Sequence, residues 1–185
     1  MSIFRISFLF LCSAFLFGCA SGAKMENMTY RNNGPAKVSF DPALNKQVDV
    51  QSVSGGEKTN PAWTSEISNE SFSLALKRSL DSFGLFSSIG KYKLDVQMLD
   101  VDQPLFGLDM TVTTRVRYHL VDTVTNKVLI DEVVRAPYTA SVGDAFLGSE
   151  RLRKANEGSG KKNIQRFIEK LSELNVEQGS VSLSE

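Results

Sequence analysis

The sequence predicts an α+β domain: a four-stranded antiparallel or mixed sheet with two helices packed on one face, in the order β-α-β-β-β-α. Three observations carry this reading. From Met110 to Leu120 the chain alternates, with Met110, Val112, Thr114, Val116, Tyr118 and Leu120 on one face and Thr111, Thr113, Arg115, Arg117 and His119 on the other. A period of two with one dry and one wet face is the pattern of an antiparallel strand. Two other segments, 65–83 and 148–174, repeat their apolar residues every three or four positions instead, as amphipathic helices do. Each such stripe must be buried, and one face of a sheet is the simplest partner for both.

The elements follow in order. Lys46 to Val53 sets Val48 and Val50 between polar neighbours and reads as the first strand. Ser54 to Pro61, with two glycines and a proline, is turn chemistry. From Ser65 to Phe83 the stripe is Phe72, Leu76, Leu80 and Phe83, widened by Ala75 and Ser79, and Gly84 supplies the stop. Tyr92, Leu94, Val96 and Met98 alternate in a second strand that ends before Pro104, where an apolar connector, Pro104-Leu105-Phe106-Gly107-Leu108, leads into the third. Asp122 to Lys127 is a turn, and Val128 to Tyr138 returns as the fourth strand. In the last helix Ile164, Phe167, Ile168, Leu171 and Leu174 form the stripe. Gly158 and Gly160 each weaken it by about 1 kcal/mol relative to alanine, which predicts a break or kink there.

The chain begins differently. Arg5 precedes an apolar run from Ile6 to Leu16, and Leu16-Phe17-Gly18-Cys19 follows. The run is too short for the roughly 20 residues that cross a bilayer as a helix. The arrangement resembles a bacterial lipoprotein signal, in which Cys19 is acylated and becomes the first mature residue. An ordinary secretory signal cut after Ala23 is the alternative. The lipoprotein resemblance implies residues 1–18 as signal peptide, 19–36 as lipidated N-terminus and flexible tether, 37–175 as one periplasmic α+β domain and 176–185 as a disordered tail. Fully extended, residues 20–36 could reach about 55 Å. Ala20, in place of an aspartate, implies the outer membrane. Acyl chains in the plural give durable attachment, which one chain does not.

Composition excludes some function classes. The chain carries 21 basic and 21 acidic side chains, and a balanced charge argues against nucleic acid as a partner. Cys12 lies in the signal, leaving Cys19 alone, so no intramolecular disulfide forms after cleavage. His119 is the single histidine, and with no second histidine or free cysteine a zinc site has no ligand set. No Gly-x-Ser-x-Gly elbow accompanies it. Asp95, Asp100, Asp102 and Asp109 lack the spacing of a calcium loop. Gly158-Ser-Gly160-Lys161-Lys162 lacks the first glycine and the Ser/Thr of a phosphate loop, Ala155 and Lys162 standing in those places. No catalytic residue, cofactor or metal is expected, and the chain reads as a non-enzyme.

Two surfaces remain as interaction candidates. Arg151, Lys154, Lys161 and Lys162 give the last helix a basic surface able to meet anionic headgroups or an acidic partner; an ordinary solvated helix face is the other reading. Leu105 and Phe106 mark a partner or lipid site if exposed, and nothing functional if they cap the core. The segments Phe72-Ser-Leu-Ala-Leu-Lys-Arg-Ser-Leu80, Gly84-Leu-Phe-Ser87, Tyr92-Lys-Leu-Asp-Val96 and Asn163-Ile-Gln-Arg-Phe-Ile-Glu-Lys-Leu171 resemble the auxiliary lipoproteins of ABC-type envelope transport systems. That resemblance implies a membrane-anchored accessory protein with an envelope protein partner, an adaptor for a transport or assembly machine. A periplasmic carrier of a hydrophobic small molecule or lipid is the alternative, with Phe72, Phe83, Phe86, Phe106, Phe146 and Phe167 as pocket walls.

Overall fold

The structure is a computed structural model that describes residues 21–32, 38–60, 64–176 and 180–181. The expected signal peptide, Cys19 itself and most of the expected tail lie outside the described residues. The alternating and helical patterns form the elements they predict. Strands β1 (Val48–Ser54), β2 (Tyr92–Asp102), β3 (Met110–Asp122) and β4 (Lys127–Ala140) lie side by side in chain order. The β1–β2 pair is parallel and the other two are antiparallel, so the sheet is mixed. A parallel pair needs a crossover, and helix α2 (Asn69–Ser82) supplies it.

Helix α2 starts later than its periodicity suggests because Ser68 caps it. The Ser68 hydroxyl accepts the Ser71 N–H at 3.1 Å, satisfying a free donor of the first turn. It ends as predicted: Gly84 turns the chain with φ of 72°, a conformation that costs glycine nothing. Helix α3 (Gly148–Glu173) packs beside α2 on the same face of the sheet. Phe72, Leu76 and Leu80 of α2 and Ile164, Phe167 and Leu171 of α3 are buried against Leu94, Val96, Val116, Tyr118 and Leu120. The Tyr118 and Phe167 rings stack with centroids 4.0 Å apart. A two-residue ladder, β5 (Leu174–Asn175) with β6 (Ser180–Val181), follows α3.

Two expectations are corrected. Helix α3 is continuous through Gly158 and Gly160, because both glycines are sites of close approach rather than breaks. A Cβ on Gly158 would fall 2.3 Å from Tyr138 Cδ1, and one on Gly160 would fall 2.8 Å from Met28 Sδ. The described part of the expected tether, 21–32, is also no tether at its centre. It carries a short helix, α1 (Met25–Met28), with Ala23, Met28 and Thr29 buried. The Ala23 N–H bonds Glu66 O at 3.0 Å and the Tyr30 N–H bonds Ser79 Oγ at 2.9 Å. Too few residues are involved for any period to show.

Candidate functional site

The most unusual surface lies at the end of the sheet where β2 turns into β3 and β4 leads into α3. Leu105, Phe106 and Leu108 on the first loop are 85%, 85% and 78% exposed, and Phe146 and Leu147 on the second are 89% and 54% exposed. Single exposed apolar residues are ordinary, but five on two adjoining loops are not. Arg151 joins the loops. Its guanidinium donates to Ala145 O at 2.8 Å, to Phe146 O at 2.7 Å and to Gly107 O at 3.2 Å. The side chain is itself buried, so its charge is spent on carbonyls and the loops share one anchor. Beneath them Met110, Val112, Ala140, Leu152 and Ala155 form a small core of their own.

The sequence candidates therefore divide. Leu105 and Phe106 are exposed together, as a docking surface requires. Arg151 supports that surface from inside and presents no charge outward. Leu147 stands outside the sequence candidates, and Phe146 belongs to this surface instead of a pocket wall. Adjacent large apolar residues in a loop just before Gly148 are the signal for both. The six phenylalanines do not converge. Phe72 and Phe167 are fully buried in the main core, Phe83 and Phe86 pack at its border, and Phe106 and Phe146 face outward.

Lys154, Lys161 and Lys162 do meet, in a cleft of about 600 Å³ between α3 and the β4 edge. Tyr138 and Glu157 line it too. Glu157 is buried and fully engaged: its carboxylate accepts from the Lys24 N–H at 3.0 Å and Asn27 Nδ2 at 2.8 Å, and pairs with Arg153 at 2.8 Å. Lys154 Nζ donates to Asp144 O. Beside this cleft α3 is tied to the sheet by hydrogen bonds: Ser159 and Asn163 bridge Thr114 of β3 to the Ala136 and Val134 carbonyls of β4, and Arg166 donates to the Arg135 carbonyl.

The other face of the sheet has no helix over it among the described residues. Arg117 grips Asp131 with two bonds of 2.7 Å and holds that carboxyl below its ordinary pKa, against the opposing effect of desolvation. His119 Nδ1 lies 3.6 Å from Asp131 Oδ2. A second cleft, of about 350 Å³, places Ser52 and Ser54 near His119. The Ser52 hydroxyl, however, donates to Asp95 at 2.5 Å, and no serine–histidine bond forms among the described residues. On this face Arg115 and Arg135 stand directly opposite each other in the ladder, both exposed. Asp100 faces Arg115 from β2. None of the three makes an ion pair among the described residues. Nor does any group of three His, Cys, Asp or Glu gather there to hold a metal, and no described helix is long and apolar enough to cross a membrane.

No family model matches the chain, and no curated protein matches its sequence. Solved structures do resemble it. A Xanthomonas campestris protein of family DUF330 is 12% identical, with a TM-score of 0.56 over 80% of this chain and 91% of its own. A candidate lipoprotein from Caulobacter crescentus is also 12% identical, with a TM-score of 0.48 over 70% of this chain and 90% of its own. A Chlamydia trachomatis protein is 13% identical, with a TM-score of 0.45 over 76% of this chain and 99% of its own. At these identities the Xanthomonas protein shares a fold with this chain, the mixed α+β sheet with its helices, and that is the extent of the likeness.

Proposed function

We propose that this chain is a membrane-anchored, non-enzymatic accessory lipoprotein of the bacterial cell envelope, an adaptor for a transport or assembly machine. Acyl chains on Cys19 hold it to the outer membrane with its domain in the periplasm. The observation that carries this reading is the Leu16-Phe17-Gly18-Cys19 sequence four residues ahead of Ala23, where the packed fold has already begun. A mature chain starting at Cys19 keeps Ala23 and its bond to Glu66. One cut after Ala23 loses both.

The adaptor role draws support from the uncovered sheet face. Like charges directly opposite in a ladder cost stability, so Arg115 facing Arg135 gains from a carboxylate brought by a partner. An acidic segment of another envelope protein is the occupant this face suits. Intact-mass analysis of the mature protein and of Cys19→Ala, with membrane fractionation of both, tests the anchor: a triacyl mass absent from the variant is expected, and an unmodified chain beginning at Lys24 would overturn it. Photo-crosslinking in cells from positions 111 and 133, exposed on the same face, tests the adaptor role. A crosslinked envelope protein lost when Arg115→Glu and Arg135→Glu are added is expected; no crosslinked species at either position sinks it.

A further inference from the structure

The apolar loops and the N-terminal segment belong to the same end of the molecule. Running backwards from Tyr30, the chain retraces α3 toward its start: Met28 lies against Gly160 and the Lys24 N–H reaches Glu157. Ala23 then bonds Glu66 O, and Gly22 approaches Thr59. The Glu66 carboxylate in turn accepts from Gln103 Nε2 at 2.6 Å, and Gln103 immediately precedes the Pro104–Leu108 loop. Cys19 is four residues before Ala23, so its sulfur is tied within about 14 Å of that bond even with the chain fully extended.

We infer that Leu105, Phe106, Leu108, Phe146 and Leu147 form a tip seated in the interfacial layer of the same leaflet that holds the acyl chains of Cys19. This rests on the anchored reading above. Bulky apolar side chains of this kind sit about 5–10 Å into the headgroup boundary. So short a link, joined through Glu66 to Gln103 at the base of the first loop, keeps this end of the molecule near that surface. Arg151, tying both loops to the first turn of α3, keeps the five side chains presented as one wedge. The charges around the tip favour a zwitterionic surface. Lys154 and Arg153 are offset by Asp109, Asp144 and Glu150, with Arg153 paired to Glu150 at 3.2 Å, and Asp144 bonded to Ser141 at 2.7 Å.

Single tryptophans read the depth directly. In a Trp63→Phe background, Phe106→Trp, Phe146→Trp or Val124→Trp is introduced into the full acylated protein, which is reconstituted in phosphatidylcholine vesicles with and without brominated acyl chains. Val124 is 72% exposed in the β3–β4 turn, about 40 Å of strand away from the tip, and all three positions tolerate the change because all are exposed. The expected result is flotation with the vesicles and bromine-dependent loss of fluorescence at 106 and 146 but not at 124. Flotation without quenching at 106 and 146 overturns the tip while leaving the anchor standing, and so does equal quenching at all three positions. Failure to float, with no acyl mass on the protein, overturns the anchor and the tip together.

Discussion

Gly158 sits mid-helix, where glycine is worth about 1 kcal/mol less than alanine, yet its missing side chain is what allows α3 to lie on Tyr138. A Cβ there would come within 2.5 Å of three ring atoms, including Cγ at the root of the ring, so rotating the ring does not relieve the clash. Overpacking of this kind costs about 1–3 kcal/mol and outweighs the helical gain. Gly158→Ala should therefore lower stability in urea denaturation by about 1–2 kcal/mol. With Tyr138→Ala already present, the same change should raise stability by about 1 kcal/mol. A gain in both backgrounds would mean the close approach is not made. Asp131 offers a second test at this scale, in which the sign matters. Its carboxyl pKa is lowered, chiefly by the Arg117 hydrogen bonds, so the folded state favours the ionised form. That preference is present above the ordinary carboxyl range near pH 4 and disappears as pH falls through the folded value. Because the pair is exposed, its mark is a titration curve rather than an unfolding curve. Arg117→Gln should move the Asp131 midpoint upward by NMR, and an unmoved midpoint would mean the pair is not formed in solution.

Helix α3 holds to the sheet by two different means along its length. Its second half buries Ile164, Phe167, Ile168 and Leu171, the stripe that made it readable as a helix. Its stretch up to Asn163 buries Asn156, Glu157, Ser159 and Asn163 itself, which no search for apolar period can find. Hence the strands and the end of α3 were legible in the sequence, and the continuity of the helix was not. Asn163 is central to the polar stretch. It accepts from Tyr118 Oη at 2.8 Å and donates to Val134 O at 2.9 Å and Thr114 Oγ1 at 3.1 Å. Removing it strands the buried Tyr118 hydroxyl and takes a donor from the Val134 carbonyl, while Thr114 Oγ1 keeps Ser159 at 3.0 Å, a cost of about 1–3 kcal/mol for each group that loses its partner. Asn163→Ala should lower stability by at least about 2 kcal/mol, and Asn163→Leu should not restore it, because the stranded groups remain. A near-neutral Asn163→Leu measured by thermal and urea unfolding would show that shape, not hydrogen bonding, governs this seam. The candidate site was half legible for a related reason. Leu105 and Phe106 stand out as an apolar run, but Phe146 and Leu147 join them only through Arg151, a charged residue that in sequence reads as part of a basic helix surface.

At the scale of the whole molecule, the packing of 21–32 changes what anchoring means. A free tether over 20–36 would hold the domain as far as about 55 Å from its membrane. With Ala23 bonded to Glu66 and Met28 fully buried against Gly160, that reach is lost, and the anchor proposed at Cys19 would hold the domain close to the membrane surface. A partner meeting Arg115 and Arg135 must then come to the membrane or be bound there already. All of this depends on the N-terminal segment being part of the cooperative fold, and Met28 decides it. Truncating a fully buried methionine removes its burial and leaves a cavity, together about 2–5 kcal/mol. Met28→Ala should therefore lower the stability of the entire domain by an amount in that range, in a single transition. The amides of Ala23, Lys24 and Tyr30 should exchange no faster than those of β3 in the parent protein, because their acceptors Glu66, Glu157 and Ser79 lie in or against the core elements. If Met28→Ala is neutral and those three amides exchange within the dead time while β3 stays protected, the segment is a tether after all. The domain then regains its reach, and the seating of the apolar tip in its own membrane loses the constraint that placed it there.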